Sequence, residues 1–479
     1  MDNLRPENVF RYFKEISDIP RGSGNTDAIT EYLIQFAVSH DFDAIADEVG
    51  NVIIKKSATE GFEESEGIIL QGHVDMVCAA VPESDHDFLN DPITLKTEGD
   101  YLFADGTTLG GDDGIAVAYM LALLDDEEIP HPALECLFTV DEEIGLLGAA
   151  ALDPEFLDGH VMINLDSESE GVLTVGCAGG VRVDTTIPIG RASIKGMPLL
   201  IEIGGLLSGH SGEMIQKGRI NALKLMGRFL FELDQKTAFS LVDVSGGDKD
   251  NAIPAEAKAH LIVDEDDLET AKKFTKEFVS KIKREYAGTD DGLVIRIESG
   301  RTHKVTVMDP DSQEKVIAFL MHVPNGVRHM SGVNSGLVQT STNLGIARTG
   351  TEQFVTTSLT RSSVLSERDA LAQEIISLAR LLGGAGYLKE SYPAWEYREN
   401  SKLRETMVRV YSERFGKEPE ISIIHGGLEC GIFYDKIKNF DAVSIGPDIK
   451  DIHTPNEKLS ISSAERTWEY LLDVLKALK

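Results

Sequence analysis

Hydrophobic positions follow both helical and strand-like spacing over the first 170 residues. Apolar side chains recur every three to four residues in the segment 5–40, which predicts helices. Shorter apolar runs predict strands, and one longer run predicts an apolar helix. The strands are Asn51–Ile54, Gly67–Val77, Leu134–Val140 and Val161–Asp166, and the helix is Ile115–Leu124. Because continuous apolar runs suit strands covered by helices, the pattern predicts an α/β domain with a mixed, mostly parallel sheet between helices.

The pattern changes near Val181. Residues 197–290 predict a strand, a helix, two strands and a helix, and residues 291–390 repeat that order, beginning with the strand Leu293–Ile297. The repeat is one of element order and not of residue identity. It predicts an inserted α+β domain of two similar halves.

After the insert, the pattern again resembles that of the first domain. A helix is predicted over residues 402–415, a strand at Ile421–Ile424 and a closing helix over 463–478. We therefore predict that residues 1–180 and 393–479 form one domain and that residues 181–392 are inserted into it.

Composition narrows the choice of partners and compartment. The chain has 46 basic and 80 acidic residues among 479, and the net charge of −34 argues against a nucleic acid or an anionic membrane as partner. No apolar run approaches the roughly 18 residues needed to span a membrane, and the N-terminus lacks the features of a signal peptide. The four cysteines are scattered, as in reduced cytoplasmic proteins. We expect a cytoplasmic protein.

Acidic side chains follow the predicted strand Leu134–Val140. Glu142 and Glu143 would repel each other if buried, so a positive group is expected beside them. A divalent metal ion meets this need, with one carboxylate as a ligand and its neighbour acting on water. A solvated acidic turn is the alternative for this stretch taken alone.

Further candidate ligands lie at comparable places. His73 and Asp75 leave the same face of a strand, and a carboxylate can hold the second nitrogen of a histidine ligand. Asp112 or Asp113 opens a helix, where negative charge is favoured, in a glycine-rich turn without the Lys-Ser/Thr of a phosphate loop. Asp166 ends another strand. Each of these could be an ordinary polar residue at the end of an element.

Taken together, these residues predict a metal site. In open α/β sheets, sites form at the carboxyl ends of the strands. A histidine with several carboxylates is a mixed nitrogen and oxygen set that suits Zn²⁺, Mn²⁺ or Co²⁺ and lacks the thiolates of a structural zinc site. His453, in a turn with proline and asparagine, could alone be a surface histidine.

Seven motifs, in order along the chain, resemble those of the M20 family of metallopeptidases. They are Gly-His73-Val-Asp75, Gly-Gly-Asp112-Asp113-Gly, Asp-Glu142-Glu143-Ile-Gly, Asn-Leu-Asp166, Gly-His210-Ser-Gly, Asn251-Ala-Ile-Pro254 and His453-Thr-Pro-Asn-Glu457. The doubled insert and the form His425-Gly-Gly-Leu-Glu429-Cys-Gly are most similar to the aminoacyl-histidine dipeptidase branch. Many other members carry Arg-Gly-Gly-Thr-Asp at that place.

The resemblance implies two divalent ions, Zn²⁺ first and Mn²⁺ or Co²⁺ as alternatives. The implied metal ligands are His73, Asp112, Glu143, Asp166 and His453, with Asp112 between the ions. Asp75 would orient His73, Glu142 would be the general base, and His210 would reach the scissile carbonyl or its oxyanion. The implied substrate-binding residues are Arg361 for the carboxylate, with Asn343, His425 and Glu429.

The resemblance also implies hydrolysis of dipeptides such as β-alanyl-histidine, with the insert as a lid. An N-acyl amino acid deacylase or a tripeptidase would use the same chemistry. A metal-dependent peptide-binding protein without turnover is a third alternative, although pure binding needs no base beside Glu143. The insert could instead serve oligomerisation, so a homodimer remains open.

Overall fold

The chain folds into two units in a computed structural model that describes residues 4–332 and 336–479. The first unit runs to Cys177 and resumes at Trp395–Ile424 and Leu428–Lys479. The second unit comprises Ala178–Ala394 and His425–Gly427.

The first unit begins with alternating helices and strands. In chain order these are α1 (Glu7–Ser17), α2 (Asp27–Ser39), β1 (Asp43–Ala46), β2 (Val52–Lys56), β3 (Ile68–His73), β4 (Leu95–Glu98), β5 (Tyr101–Ala104), α3 (Gly111–Asp125), β6 (Leu134–Thr139), α4 (Leu147–Ala151), β7 (Val161–Asn164) and β8 (Val172–Cys177).

The second unit follows directly, and the chain then returns to the first. The elements of the second unit are β9 (Gly179–Pro188), β10 (Arg191–Gly204), α5 (Ser211–Met214), α6 (Ala222–Asp234), β11 (Ser240–Gly246), β12 (Ala257–Val263), α7 (Leu268–Glu285), β13 (Val294–Ser299), β14 (His303–Met308), α8 (Pro310–His322), β15 (Gly326–Met330), β16 (Val338–Thr349), β17 (Gln353–Ser362), α9 (Leu365–Leu381) and β18 (Ala385–Tyr392). The returning elements are α10 (Lys402–Phe415), β19 (Glu420–Ile424), α11 (Glu429–Lys436), β20 (Asp441–Ser444), β21 (Ile449–Lys450), β22 (Lys458–Ser460) and α12 (Ile461–Ala477).

The main sheet of the first unit has the strand order β1-β2-β6-β3-β7-β20-β8-β19 among the described residues. The central pairs β6–β3, β3–β7 and β7–β20 are parallel, as is β8–β19, whereas the remaining pairs are antiparallel. Every residue of β3, β6 and β7 is buried, which explains why these strands read as continuous apolar runs. The predicted mixed, mostly parallel sheet is confirmed.

The apolar helix α3 packs against β3 in the core of this unit. Its residues are buried from Gly111 through Leu124. Tyr119 stacks on Trp468 of α12 with ring centroids 5.7 Å apart, and its hydroxyl donates to the Ala464 carbonyl at 2.8 Å. Helix α3, which begins at Gly111 and carries Asp112 in its first turn, is therefore fixed on several sides.

The second unit is built on one sheet of two similar halves. Its described strands run in the order β13-β10-β12-β11-β16-β17-β9-β18, with β14 pairing β10 and β15 pairing β16, so two five-stranded groups lie side by side. Helices α6 and α7 belong to the first group in sequence, and α8 and α9 to the second. The predicted doubling of α+β elements is confirmed.

One strand assignment differs from the prediction. The strand predicted at Leu293–Ile297 was expected to open the second half, but β13 pairs antiparallel with β10 and closes the first half. Its counterpart in the second half is β18, and that half takes its remaining strand, β9, from before the first half. Element order along the chain does not decide which strands exchange hydrogen bonds.

No helix of the described residues is long and apolar enough to cross a membrane.

Gly72 on β3 tests how closely α3 packs against the sheet. A Cβ at Gly72 would lie 2.5 Å from the Ala116 Cβ and 2.5 Å from Asp113 Oδ2, whereas a Cβ at Gly67 would meet only an ordinary contact at 3.6 Å. We expect Gly72→Ala to lower the free energy of unfolding by about 1–3 kcal/mol, the usual cost of overpacking, and Gly67→Ala to change it little.

Urea unfolding in EDTA, followed by tryptophan fluorescence, measures this difference, because Trp395 and Trp468 both lie in the first unit. Equal stability of the two variants would contradict the packing described for β3 and α3.

Candidate metal centre

The predicted ligands of the first unit lie where its parallel strands end. His73 is the last residue of β3, the acidic turn follows β6, and Asp166 follows β7. These three strands are parallel neighbours, so their carboxyl ends meet at one edge of the sheet. Asp112 lies in the first turn of α3, and His453 lies in the loop between β21 and β22.

Asp112 lies between the two histidines. Its Oδ1 is 3.1 Å from Nε2 of His73, and its Oδ2 is 3.1 Å from Nε2 of His453. Each imidazole nitrogen also faces a second carboxylate. Nε2 of His73 is 3.7 Å from Oδ1 of Asp166, and Nε2 of His453 is 3.0 Å from Oε1 of Glu143. The five predicted ligands are therefore brought together, with one carboxylate shared by both halves of the cluster.

Asp75 supports this arrangement from the opposite side of His73. Its carbonyl and its Oδ1 lie 3.0 and 3.4 Å from Nδ1 of His73. Its carboxylate also accepts hydrogen bonds from the backbone N–H groups of Glu142 and Glu143, at 3.0 and 3.3 Å, and from the Ser23 hydroxyl at 2.7 Å. Burial raises the pKa of Asp75, but these hydrogen bonds outweigh it and lower the pKa to about 2.

The charges of the cluster favour a cation. Burial raises the pKa of Glu142 and of Asp166 well above the usual range, and neighbouring carboxylates raise both further. Burial lowers the pKa of His73, yet its hydrogen bonds to acids raise that pKa well above the usual value. The carboxylates of Asp112 and Glu143 likewise raise the pKa of His453 to about 10. Positive charge is thus stabilised on the two imidazoles, whereas negative charge is destabilised on Glu142 and Asp166.

These residues fit a pair of divalent ions. Donor atoms of Asp112, Glu143 and His453 lie within 4.8 Å of one another, as do those of His73, Asp113 and Asp166. A mixed set of imidazole nitrogens and carboxylate oxygens suits Zn²⁺, Mn²⁺ or Co²⁺. The candidate ligands can therefore hold the metal ions that the motifs imply.

Glu429 lies within the first unit and supports strand ends. It is fully buried, and its Oε2 accepts hydrogen bonds from Gln71 Nε2 at 2.6 Å and from the Thr139 hydroxyl at 2.7 Å. Asn164 Nδ2 donates to Gln71 Oε1 at 2.7 Å. These contacts connect Glu429 to β3 and β6, and the contact with substrate expected of Glu429 stays a prediction. Gln71 and Asn164 were missed, although a polar residue inside an apolar strand was an available signal.

Among the described residues, Arg361 of the second unit is a buried cation that contacts no acidic side chain. It is 5% exposed, and its Nη1 donates to the Tyr392 hydroxyl at 2.5 Å. Its Nη2 lies 3.5 Å from Nε2 of His210. Neither partner is an acid, and within the described part of the chain Nε has no hydrogen-bond partner. A buried charge is costly unless it is paired, so this arrangement favours an anionic ligand.

The other two predicted substrate contacts also lie in the second unit. Nε2 of His425 lies 2.7 Å from the Ser341 hydroxyl. Burial and the charge of Arg361 lower the pKa of His425 to about 3, so its ring is neutral. Asn343 is 1% exposed, and its amide nitrogen donates to the carbonyls of Asp250 and Ala252 at 2.9 and 2.8 Å. These contacts connect Asn343 to the segment 250–252, and the contact with substrate expected of Asn343 stays a prediction.

Comparison with known proteins agrees with the motifs. The sequence profile of peptidase family M20/M25/M40 matches residues 69–477. The cytosol non-specific dipeptidase of Escherichia coli K12 is 35% identical over 480 residues, covering 100% of this chain and 99% of that protein. The crystal structure of aminoacylhistidine dipeptidase from Vibrio alginolyticus superposes with a TM-score of 0.91 at 36% identity, covering 99% of this chain and 97% of that one.

A tripeptidase from Staphylococcus aureus shares only the fold. It has a TM-score of 0.57 at 17% identity, with 99% of both chains covered. The profile match and the 35% identical dipeptidase confirm the family resemblance deduced from the seven motifs. The chain belongs to peptidase family M20/M25/M40.

Proposed function

We propose that this protein is a metal-dependent dipeptidase that cleaves Xaa-His dipeptides and other dipeptides. The observation that carries the proposal is Asp112, whose two oxygens face His73 and His453 with Glu142 close by. The names of the relatives, a non-specific dipeptidase and an aminoacylhistidine dipeptidase, support the choice of substrate.

Two divalent ions are proposed between five residues, with zinc as the first choice. The residues that would hold them are His73, Asp112, Glu143, Asp166 and His453. When bound, the ions polarise the peptide carbonyl and lower the pKa of water toward neutrality.

Glu142 is proposed as the general base. It would accept a proton from the attacking water and deliver it to the departing amine. Its backbone N–H is held by Asp75, whose carboxylate also lies against His73. Asp75 would thus orient a ligand and the base together.

The second unit would supply recognition of the substrate. Arg361 is proposed to bind the free carboxylate, since its guanidinium is buried without an acidic contact. His210 would donate to the oxyanion of the tetrahedral intermediate, a contribution of about 3–4 kcal/mol for a well-placed donor. His425, which is neutral and bonded to Ser341, would contact the substrate as an uncharged group. The free amino end of the substrate would lie near the acidic residues of the metal site. Recognition of both free ends would make such an enzyme a dipeptidase, because a longer peptide cannot satisfy both contacts.

Loss of a ligand should remove metal and activity together. We expect Asp166→Ala and His453→Ala each to lower the zinc content per chain and to abolish dipeptide hydrolysis, because a carboxylate or imidazole ligand is lost. His160→Ala is the control, since that histidine is exposed and its Nε2 lies 3.0 Å from Oε1 of Glu66, away from the candidate ligands. Elemental analysis of purified protein measures the metal. Wild-type zinc content in either variant would remove that residue from the ligand set.

The two adjacent glutamates should behave differently. Glu142→Gln keeps the size of the side chain but cannot accept a proton, so we expect zinc to remain bound while kcat falls by about 10²–10⁴. Glu143→Gln should lower the zinc content instead, because a ligand charge is lost. Metal analysis and steady-state kinetics on both variants test this assignment, and the opposite result would exchange the two roles.

Arg361 should determine the requirement for a free carboxylate. We expect Arg361→Ala to lower kcat/KM for Xaa-His dipeptides by at least about 10-fold, because a charged hydrogen bond is lost. Dipeptide amides should be poor substrates of the wild type and should lose little further activity in the variant. Arg182→Ala is the control, because that guanidinium is already paired with Asp184 and Glu390.

A release assay with dipeptides, their amides, tripeptides and N-acetyl amino acids makes this comparison. Equal wild-type turnover of a dipeptide and its amide would exclude carboxylate recognition. Preference for tripeptides or N-acetyl amino acids would favour the tripeptidase or deacylase alternative.

A further inference from the structure

Four consecutive backbone N–H groups that lead into Asp112 donate to a single carboxylate. Oε2 of Glu457 accepts from Leu109 and Gly110 at 2.8 and 3.1 Å, and Oε1 accepts from Gly111 and Asp112 at 2.8 and 3.2 Å. Glu457 is 2% exposed. Charge-assisted hydrogen bonds of this kind are stronger than neutral ones, so the segment 109–112 is held in one conformation.

Arg21 contacts the same segment through the carbonyl of Gly110. It is 2% exposed, and its Nη2 donates to the Gly110 carbonyl at 2.6 Å while its Nη1 donates to the Val74 carbonyl at 2.7 Å. A Cβ at Gly110 or at Gly114 would lie 2.6 or 2.5 Å from Nη2, so both glycines leave room for the guanidinium. Val74 directly follows His73. One side chain therefore connects the backbones beside two candidate metal ligands.

Asp112 needs such external support. Its backbone angles, φ −82° and ψ 107°, are not helical although it lies in the first turn of α3. Its conformation is therefore not set by the regular hydrogen bonds of the helix. Its backbone N–H donates instead to Oε1 of Glu457 at 3.2 Å.

Burying a glutamate beside other acids is electrostatically costly unless its carboxylate is paired or hydrogen-bonded. Burial and the charge of Asp112 raise the pKa of Glu457, and its backbone hydrogen bonds oppose that rise. Burial lowers the pKa of Arg21, and the charge of Glu457 is the largest opposing influence. Both side chains contact the segment 109–112, Glu457 through backbone N–H groups and Arg21 through the Gly110 carbonyl.

We propose that Glu457 and Arg21 are positioning residues that fix Asp112 and the backbone next to His73 in the geometry required for metal binding. This inference rests on the proposed function, in which Asp112 is shared by two ions. Residues that orient metal ligands typically change metal affinity by 10–100-fold when they are replaced. A side chain that only stabilises the fold would change unfolding without changing the metal affinity of the folded protein.

The test compares three variants of the full chain. Glu457→Gln removes the charge and turns an amide N–H₂ toward backbone donors. Arg21→Lys keeps a cation whose single ammonium lacks the fork that reaches two carbonyls. Glu135→Gln is the matched control, because Glu135 is also buried, accepts from the backbone N–H groups of Asp158 and Gly159 and lies 3.0 Å from Lys55 Nζ.

Two quantities are measured for each protein. Tryptophan fluorescence during urea unfolding in EDTA reports the stability of the metal-free first unit. Competition of Zn²⁺ with a chromophoric chelator reports the zinc affinity of the folded protein. We expect Glu457→Gln and Arg21→Lys to bind zinc at least about 10-fold more weakly than the wild type, and Glu135→Gln to lose stability with unchanged zinc affinity.

The outcomes separate this inference from the proposed function. Wild-type zinc affinity in Glu457→Gln and Arg21→Lys, with reduced stability alone, would overturn the positioning role. If Glu457→Gln does not fold, the zinc affinity of Arg21→Lys decides. If the wild type itself binds no zinc, or if Asp112→Ala binds it as tightly as the wild type does, the proposed metal site fails instead.

Discussion

The concentration of buried carboxylates at one edge of the first unit's sheet is the constraint on which the rest of its structure depends. Ionised acids removed from water are costly unless each is paired or hydrogen-bonded. Asp75 is satisfied by backbone N–H groups of the acidic turn and by the ring of His73, and Glu457 by the four backbone N–H groups from Leu109 to Asp112, where α3 begins. The surrounding backbone is thus shaped by the groups it must donate to these acids. Around Asp112, divalent ions would supply the positive charge that compensates the carboxylates of the cluster.

This requirement explains why the site lies at the carboxyl ends of buried strands. Strands β3, β6 and β7 are buried along their whole length and end together, so the residues that follow them share one partly dry space. Gln71 and Asn164 add polar contacts inside these strands and connect them to Glu429. Because buried electrostatic interactions are little screened, small displacements of any member would change the energy of the others.

The second unit contains a buried positive charge, the guanidinium of Arg361, where the first unit has buried carboxylates. Arg361 is buried beside Tyr392 and His210, and neither of these contacts neutralises it. Its charge suits the carboxylate of a peptide product or substrate, as that of the acids suits a cation. The doubled sheet provides a rigid support for this group, since β17 carries Arg361 between β16 and β9. In each unit, an uncompensated buried charge is the feature that points to a ligand.

The sequence alone determined the types of the main elements and the chemical identity of the candidate ligands. Hydrophobic spacing is a local property, and His73, Glu142 and Asp166 were found because each follows or ends an apolar run. Partner choice was decided only by tertiary structure. The strand predicted at 293–297 closes one half of the insert instead of opening the next, and Glu457 reaches the N–H of Leu109 across 348 residues. The physical reason is that hydrogen-bond partners depend on which distant segments of the chain lie next to each other in the folded protein. The periodicity of apolar residues within one segment carries no information about its neighbours.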